Sequence, residues 1–292
     1  MSSQQTFTVD VPGAVLTYDV RRPAGPSDAP PLFVLGSPMA ASGFAQLIEH
    51  LDDRAVITYD PRGTERSTLA PDGEVSVELH ADDFHRVVEA ARGQVGDGPV
   101  DVFASSGGAV NVLPWIVDHP DELGTVVAHE PPLWALLEDR DVQRKVTEDI
   151  VETYQRDGFG PAMAKFIQVS MQDAPLTEDY LAQPAPDPAA FGLPTEDDGS
   201  RGDLLLDGNM RALPWFEPDV EALRGTTVRL VPAVGEQGPG TMPRRGGEAL
   251  AAALGLDAVV FPGDHGGFAS NEWSPGNDPV AFASRLREVL AS

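Results

Sequence analysis

Val102-Phe103-Ala104-Ser105-Ser106-Gly107-Gly108 is the stretch on which the fold turns. A short apolar run, Val100–Phe103, reads as a strand, and Gly108–Val117 reads as a buried helix carrying Pro114. A serine on so sharp a strand-to-helix turn is held with its hydroxyl projecting, provided the residues two before and two after it are small. With Ser106 at the tip these are Ala104 and Gly108. With Ser105 they would be Phe103 and Gly107, and the Phe103 ring would clash. Sterics therefore select Ser106 as a candidate nucleophile. A small-x-Ser-x-Gly turn on its own is also a common way to end a strand.

Outward from this turn the same alternation repeats. Leu32–Leu35, Ala55–Tyr59 and Thr125–Ala128 read as short apolar strands, and Phe44–Leu51 and Val75–Ala91 as helices between them. Such runs predict a parallel sheet covered on both faces. Upstream, Thr6–Val11 and Ala14–Val20 flank Pro12-Gly13 and predict an opening hairpin. From Pro131 to about Pro218 the patterns are helical, interrupted by the Pro-, Gly- and Asp-rich stretch Ala182–Asp203; a loop this long is usually functional or mobile. The α/β pattern resumes with a strand at Thr227–Val234, a helix at Pro243–Leu254, a strand at Ala258–Phe261 and a last helix from Asp278, where Asp278-Pro279 suits an N-cap and first helical position.

The chain has 292 residues, enough for one large α/β domain with an inserted sub-domain. Lys and Arg number 20 against 46 Asp and Glu, a formal net charge of −26. That surface repels phosphate backbones and anionic headgroups, so neither nucleic acid nor a membrane is expected as a partner. The chain has no cysteine, which excludes a disulfide framework, a Cys-ligated zinc and a Cys nucleophile. No apolar run approaches the ~18 residues of a membrane span, and the polar start MSSQQTFTVD lacks the pattern of a secretory signal. The expected location is the cytoplasm.

Four motifs in order resemble the α/β-hydrolase fold superfamily. They are the loop LFVLGSPM (Leu32–Met39), the turn YDPRGTERS (Tyr59–Ser67), the turn at Ser106, and GDHGGF (Gly263–Phe268). The resemblance covers nearly the whole chain. It implies a mostly parallel, doubly wound eight-stranded sheet, with residues 1–132 and 219–292 as the core domain and 133–218 as a helical cap. It also implies a serine esterase or lactonase in which His265 is the general base for Ser106. The backbone N–H groups of Ser37 and Gly107 would form the oxyanion hole, with Leu35 standing where the family carries His.

The acid is less determined. The family usually places Asp shortly after the seventh strand, at a position that is Gly238 here. In a branch resembling haloalkane dehalogenases a Glu follows the sixth strand, and this chain has Glu130 there. Glu130 is the first candidate and Glu236 the second. Asp264 is set aside because it adjoins His265, and Asp60 and Arg62 are read as a structural turn. His50, His80, His85 and His119 are expected in surface or capping roles, whereas His129 could line the site. No HExxH-type spacing occurs, so no metal is expected.

The implied chemistry needs no cofactor. Trp134, Met163, Phe166, Met171, Met210, Trp215 and Phe216, together with the scarcity of cations, point to a neutral, fairly apolar ester or lactone. Most of those side chains are expected to pack the cap itself. The same fold and triad also serve cofactor-free perhydrolysis, carbon–carbon bond hydrolysis and amide cleavage, and the fold can act as a non-catalytic ligand binder. A homodimer is an assembly open to such a chain.

Overall fold

The computed structural model describes residues 3–71, 73–272 and 274–292; Met1, Ser2, Asp72 and Trp273 lie outside them. Eight strands form one sheet: β1 (Gln4–Val11), β2 (Ala14–Arg21), β3 (Leu32–Leu35), β4 (Val56–Tyr59), β5 (Val100–Ser105), β6 (Leu123–His129), β7 (Arg229–Gly235) and β8 (Val259–Phe261), in the order β1-β2-β4-β3-β5-β6-β7-β8. The β1–β2 hairpin joins β4 antiparallel, and every pairing from β4 to β8 is parallel.

The apolar strands have no polar face because alternate side chains enter two different cores. Phe33, Leu35, Val102, Ala104, Val126 and Ala128 pack on one face. There they meet α2 (Val77–Val95) and α3 (Gly107–Asp118), which contribute Phe84, Val88, Val112 and Trp115. Leu32, Val34, Phe103 and Val127 point the other way. That face is covered by α1 (Ala45–Glu49), through Leu47, and by the final helix Pro279–Ala291, through Phe282 and Leu286. The last helix opens as expected, with Asp278 accepting from the N–H groups of Val280 and Ala281 and Pro279 at its first turn.

Between β6 and β7 there is no strand among the described residues. This segment holds α4 (Arg140–Asp157), α5 (Phe159–Ser170), the short α6 (Glu178–Leu181) and α7 (Met210–Ala212), and it leads into α8 (Val220–Gly225). It has its own core of Trp134, Ile150, Tyr154, Ala162, Leu206 and Met210. Met163, Phe166 and Trp215 pack against that core, so the aromatic and Met side chains mostly fill the segment itself; Met171 is exposed. A π-helical stretch, Leu204–Asn209, enters α7. The remaining helix of the sheet's first face is α9 (Met242–Leu254), which makes the Pro279–Ala291 helix α10 in chain order. Arg245 of α9 reaches back to the buried Asp139 at the head of α4 in a two-bond pair of 2.6 and 3.1 Å.

The turn motif Tyr59–Ser67 is structural, as expected. Arg62 is fully buried and forms a two-pronged pair with Asp83 at 2.7 and 2.8 Å. Asp60 binds Arg66 and the Ala41 N–H. His80 departs from the surface or capping role expected of it. It is buried against this pair with neither ring nitrogen hydrogen-bonded, and burial, with Arg62 nearby, pushes its pKa down to about 3.

Candidate active site

The C-terminal ends of the parallel strands gather the candidates. Ser106 closes β5, Glu130 closes β6, and His265 follows β8. Because β5, β6, β7 and β8 are neighbours in that order, three distant stretches of chain meet at one edge. Open α/β sheets bind ligands at this end.

Ser106 is half-buried and sits at φ 55, ψ −128, a conformation L-residues rarely adopt. Such strain persists where the surroundings over-determine it. Here the constraint on one side is the Ser106 N–H, which donates to the His129 carbonyl at 2.9 Å. On the other side α3 begins at once. Ser106 occupies the N-cap of α3, yet its side chain makes no capping bond, so the hydroxyl is not used by the helix. Ser105, by contrast, is fully buried, with its Oγ 3.5 Å from His129 Nδ1.

The two glycines after Ser106 explain themselves by contact. A Cβ on Gly107 would lie 2.5 Å from the Ser37 carbonyl oxygen, and one on Gly108 would lie 2.8 Å from Leu35 Cδ1. The loop after β3 therefore presses against the start of α3, with Leu35 fully buried. Ser37 is buried, its peptide to Pro38 is cis, and its Oγ accepts from Asn209 Nδ2 at 3.4 Å. The positive dipole end of α3 lies beside the Ser37 backbone.

Glu130 is the carboxylate that meets His265: its Oε2 lies 2.7 Å from His265 Nδ1. An ionised carboxylate only accepts, so Nδ1 carries a proton, and in the neutral ring Nε2 is left as the acceptor. The other oxygen, Oε1, accepts from the Gly235 N–H at 2.8 Å. Glu130 stands at φ 48 and its side chain is 1% exposed, whereas the His265 side chain is 42% exposed. Burial works to raise the Glu130 pKa, but the hydrogen bond from His265, the nearby His129 and the Gly235 N–H together hold it below the usual value. Glu236, the second candidate, is exposed, and among the described residues no bond joins its carboxylate to His265. Its N–H pairs with Phe261 and its carbonyl with Arg244. Asp264 has another task. Its carboxylate accepts from Ser274 Oγ, Asn277 Nδ2 and the Gly266 N–H, which shapes the loop that carries His265.

Among the described residues no direct hydrogen bond joins Ser106 to His265, a looseness common before substrate binds. His129 lies beneath them, fully buried, its ring 6.3 Å from that of His265. Burial pushes its pKa down to about 4, so it is a neutral wall. A cleft of about 620 Å³ opens elsewhere, along α4, where Arg144 lies 4.2 Å over the Trp215 ring; none of Ser106, Glu130 or His265 lines it. The candidate groups Ser106, Glu130 and His265 lie instead at the C-terminal ends of the strands.

No metal is expected from the sequence, yet the structure brings His85, His119 and Glu122 together away from Ser106. Motif spacing could not show this, since α2 and the turn after α3 supply them. No helix of the described residues is long and apolar enough to cross a membrane.

The comparisons with known proteins agree with this architecture. The uncharacterized hydrolase YraK of Bacillus subtilis (strain 168) is 29% identical over 291 residues, covering 97% of this chain and 95% of that protein. A thermophilic esterase from Thermogutta terrifontis superposes with a TM-score of 0.63 at 19% identity, covering 100% of this chain and 98% of its own. The enol-lactonase from Burkholderia xenovorans LB400 gives 0.64 at 18% identity, covering 98% and 100%. At these identities the two solved structures share the fold. The model of the alpha/beta hydrolase fold family matches residues 32–204, and the chain, with its eight-stranded sheet, belongs to that family.

Proposed function

We propose that this protein is a serine hydrolase that cleaves a neutral, fairly apolar carboxylic ester or lactone through an acyl-enzyme on Ser106. The observation that carries the reading is the backbone of Ser106, at φ 55 and ψ −128, with a hydroxyl that does not cap its own helix. Strain of this kind is maintained at functional sites.

In this reading His265 Nε2 takes the Ser106 proton as Oγ bonds to the carbonyl carbon. The carbonyl electron pair moves to oxygen, and that oxyanion is held by the N–H groups of Ser37 and Gly107, each worth roughly 3 kcal/mol. His265 then protonates the leaving alcohol, which in a lactone stays tethered to the acyl chain. Water, deprotonated by the same ring, releases the acid and restores Ser106. Glu130 keeps the Nδ1 tautomer and stabilises the imidazolium. Residues 133–218 act as a cap over the site, and Asn209 ties that cap to the oxyanion loop through Ser37. The chemistry needs no cofactor.

The test is labelling and turnover together. A fluorophosphonate probe should modify the wild-type protein stoichiometrically at Ser106, and p-nitrophenyl esters or simple lactones should be hydrolysed. Ser106→Ala should abolish both while leaving the circular dichroism spectrum unchanged. Retained turnover in that variant refutes the assignment, and an inert Ser106 in the wild type points to a ligand-binding member of the family.

A further inference from the structure

At the end of α3 remote from Ser106, three side chains with no part in the hydrolysis converge. His85 comes from α2, His119 caps the C-terminus of α3, and Glu122 follows in the 3₁₀ turn Pro120–Glu122 that leads into β6. His85 Nδ1 lies 2.7 Å and His119 Nδ1 3.4 Å from the same oxygen, Glu122 Oε1. The two imidazoles are stacked, with centroids 4.0 Å apart and planes 12° from parallel. The second carboxylate oxygen, Oε2, accepts from Trp115 Nε1–H at 2.9 Å, which fixes the carboxyl plane.

We propose that His85, His119 and Glu122 form a structural binding site for a divalent transition-metal ion of the Zn²⁺ type. Two imidazole nitrogens and one carboxylate oxygen are a donor set suited to Zn²⁺, Ni²⁺ and Cu²⁺ and poorly suited to Mg²⁺ or Ca²⁺. The three donor atoms all lie within 4.8 Å of one another. Metal–ligand bonds of ~2.0–2.2 Å in a tetrahedron set neighbouring donors roughly 3.4 Å apart. The His119–Glu122 separation of 3.4 Å already meets this, and the 2.7 Å His85–Glu122 contact must widen. Two stacked rings must also rotate for their lone pairs to converge on one ion. The 38% exposure of the His119 side chain leaves room for that turn.

Two further features favour a cation here. The site lies at the negative end of the α3 dipole, and the net charge of −26 draws cations to the whole surface. The Trp115 N–H behind Glu122 is the kind of outer support that orients a ligating carboxylate. Along the 12 residues of α3 the site stands roughly 18 Å from Ser106, so its effect is to clamp α2 against the corner where α3 turns into β6.

The test uses tag-free full-length protein stripped with EDTA and dialysed. Titration calorimetry with ZnCl₂ should give one equivalent of saturable binding, with a matching rise in Tm. His85→Ala, His119→Ala and Glu122→Gln, all near the surface, should each weaken binding by about tenfold or more. Binding unchanged in these variants, or none at millimolar Zn²⁺, overturns the proposal. The wild type gives an independent reading with Co²⁺. Intense visible bands of a four- or five-coordinate ion support the site, whereas the weak spectrum of aqueous Co²⁺ refutes it.

Discussion

The backbone of Ser106 holds free energy that the fold supplies from elsewhere. A non-glycine residue in its conformation carries about 1–3 kcal/mol of strain. Ser106→Gly is therefore expected to lose turnover yet gain about 1 kcal/mol of stability in urea denaturation, since relief of strain exceeds the entropic penalty of glycine. Glu130 tests the other end of the relay. In the proposed mechanism its 2.7 Å contact with Nδ1 orients His265. In the proposed mechanism Glu130→Gln lowers kcat about 10³–10⁴-fold, by analogy with triad acids in other hydrolases. Glu236→Gln, on the exposed side of the β7 turn, leaves kcat unchanged; steady-state kinetics of the two variants decide which carboxylate serves. The place of Ser106 at the tip of the strand-to-helix turn was legible in the sequence because hard-sphere sterics at Ala104 and Gly108 leave one choice. The choice between Glu130 and Glu236 was not, because each directly follows a strand, β6 or β7, on the side of the sheet where β8 leads to His265. Only the backbone direction after β6, with Glu130 at φ 48, aims one of them at the ring.

At the scale of elements, the loop after β3 and the head of α3 fit with no spare volume. Adding a methyl at Gly107 would bring it 2.5 Å from the Ser37 carbonyl oxygen and 2.7 Å from Leu213 Cδ1. Gly107→Ala is expected to destabilise by about 1–3 kcal/mol. In the proposed mechanism it also displaces an oxyanion donor and should cut kcat about 10²–10³-fold. Denaturation and kinetics on that variant check both effects. The strands themselves were readable because each is a short apolar run buried on two faces, as Phe33 and Val34 show by entering opposite cores. The π-helical stretch Leu204–Asn209 was not, because its Asp-Gly-Asn chemistry reads as a turn. Its shape comes instead from packing Leu206 into the core of the segment between β6 and β7 and from Asp203 accepting from the N–H groups of Leu205 and Leu206. His80 was misread for a related reason. The helical pattern gives its face, but only the Arg62–Asp83 pair beneath it makes that face an interior.

For the whole molecule, buried histidines add to the loss of stability on the acid side. His80 and His129 have pKa values pushed down to about 3 and about 4, below the ordinary 6.5. The unfolded chain binds protons that these buried rings refuse, so their contribution is complete above about pH 6.5 and is lost as pH falls. Each ring adds up to about 1.4 kcal/mol per pH unit to that slope. His80→Leu, which forfeits no hydrogen bond, should flatten the fall in urea midpoint between pH 7 and about pH 5. The charge of −26 makes a separate prediction: kcat/KM for an anionic ester should rise with added salt, while that for its neutral analogue stays level.

The partners Glu130 and Gly235 lie 105 positions apart along the chain, with the whole α4–α8 segment looped out between them. Closing so wide a loop is entropically slow, so the carboxylate behaves as a latch that shuts only once the last two strands have docked. Partial denaturation should unfasten it first. In the proposed mechanism, ester turnover is then expected to vanish at urea concentrations where far-ultraviolet ellipticity is still native, leaving a folded but silent protein with its imidazole adrift.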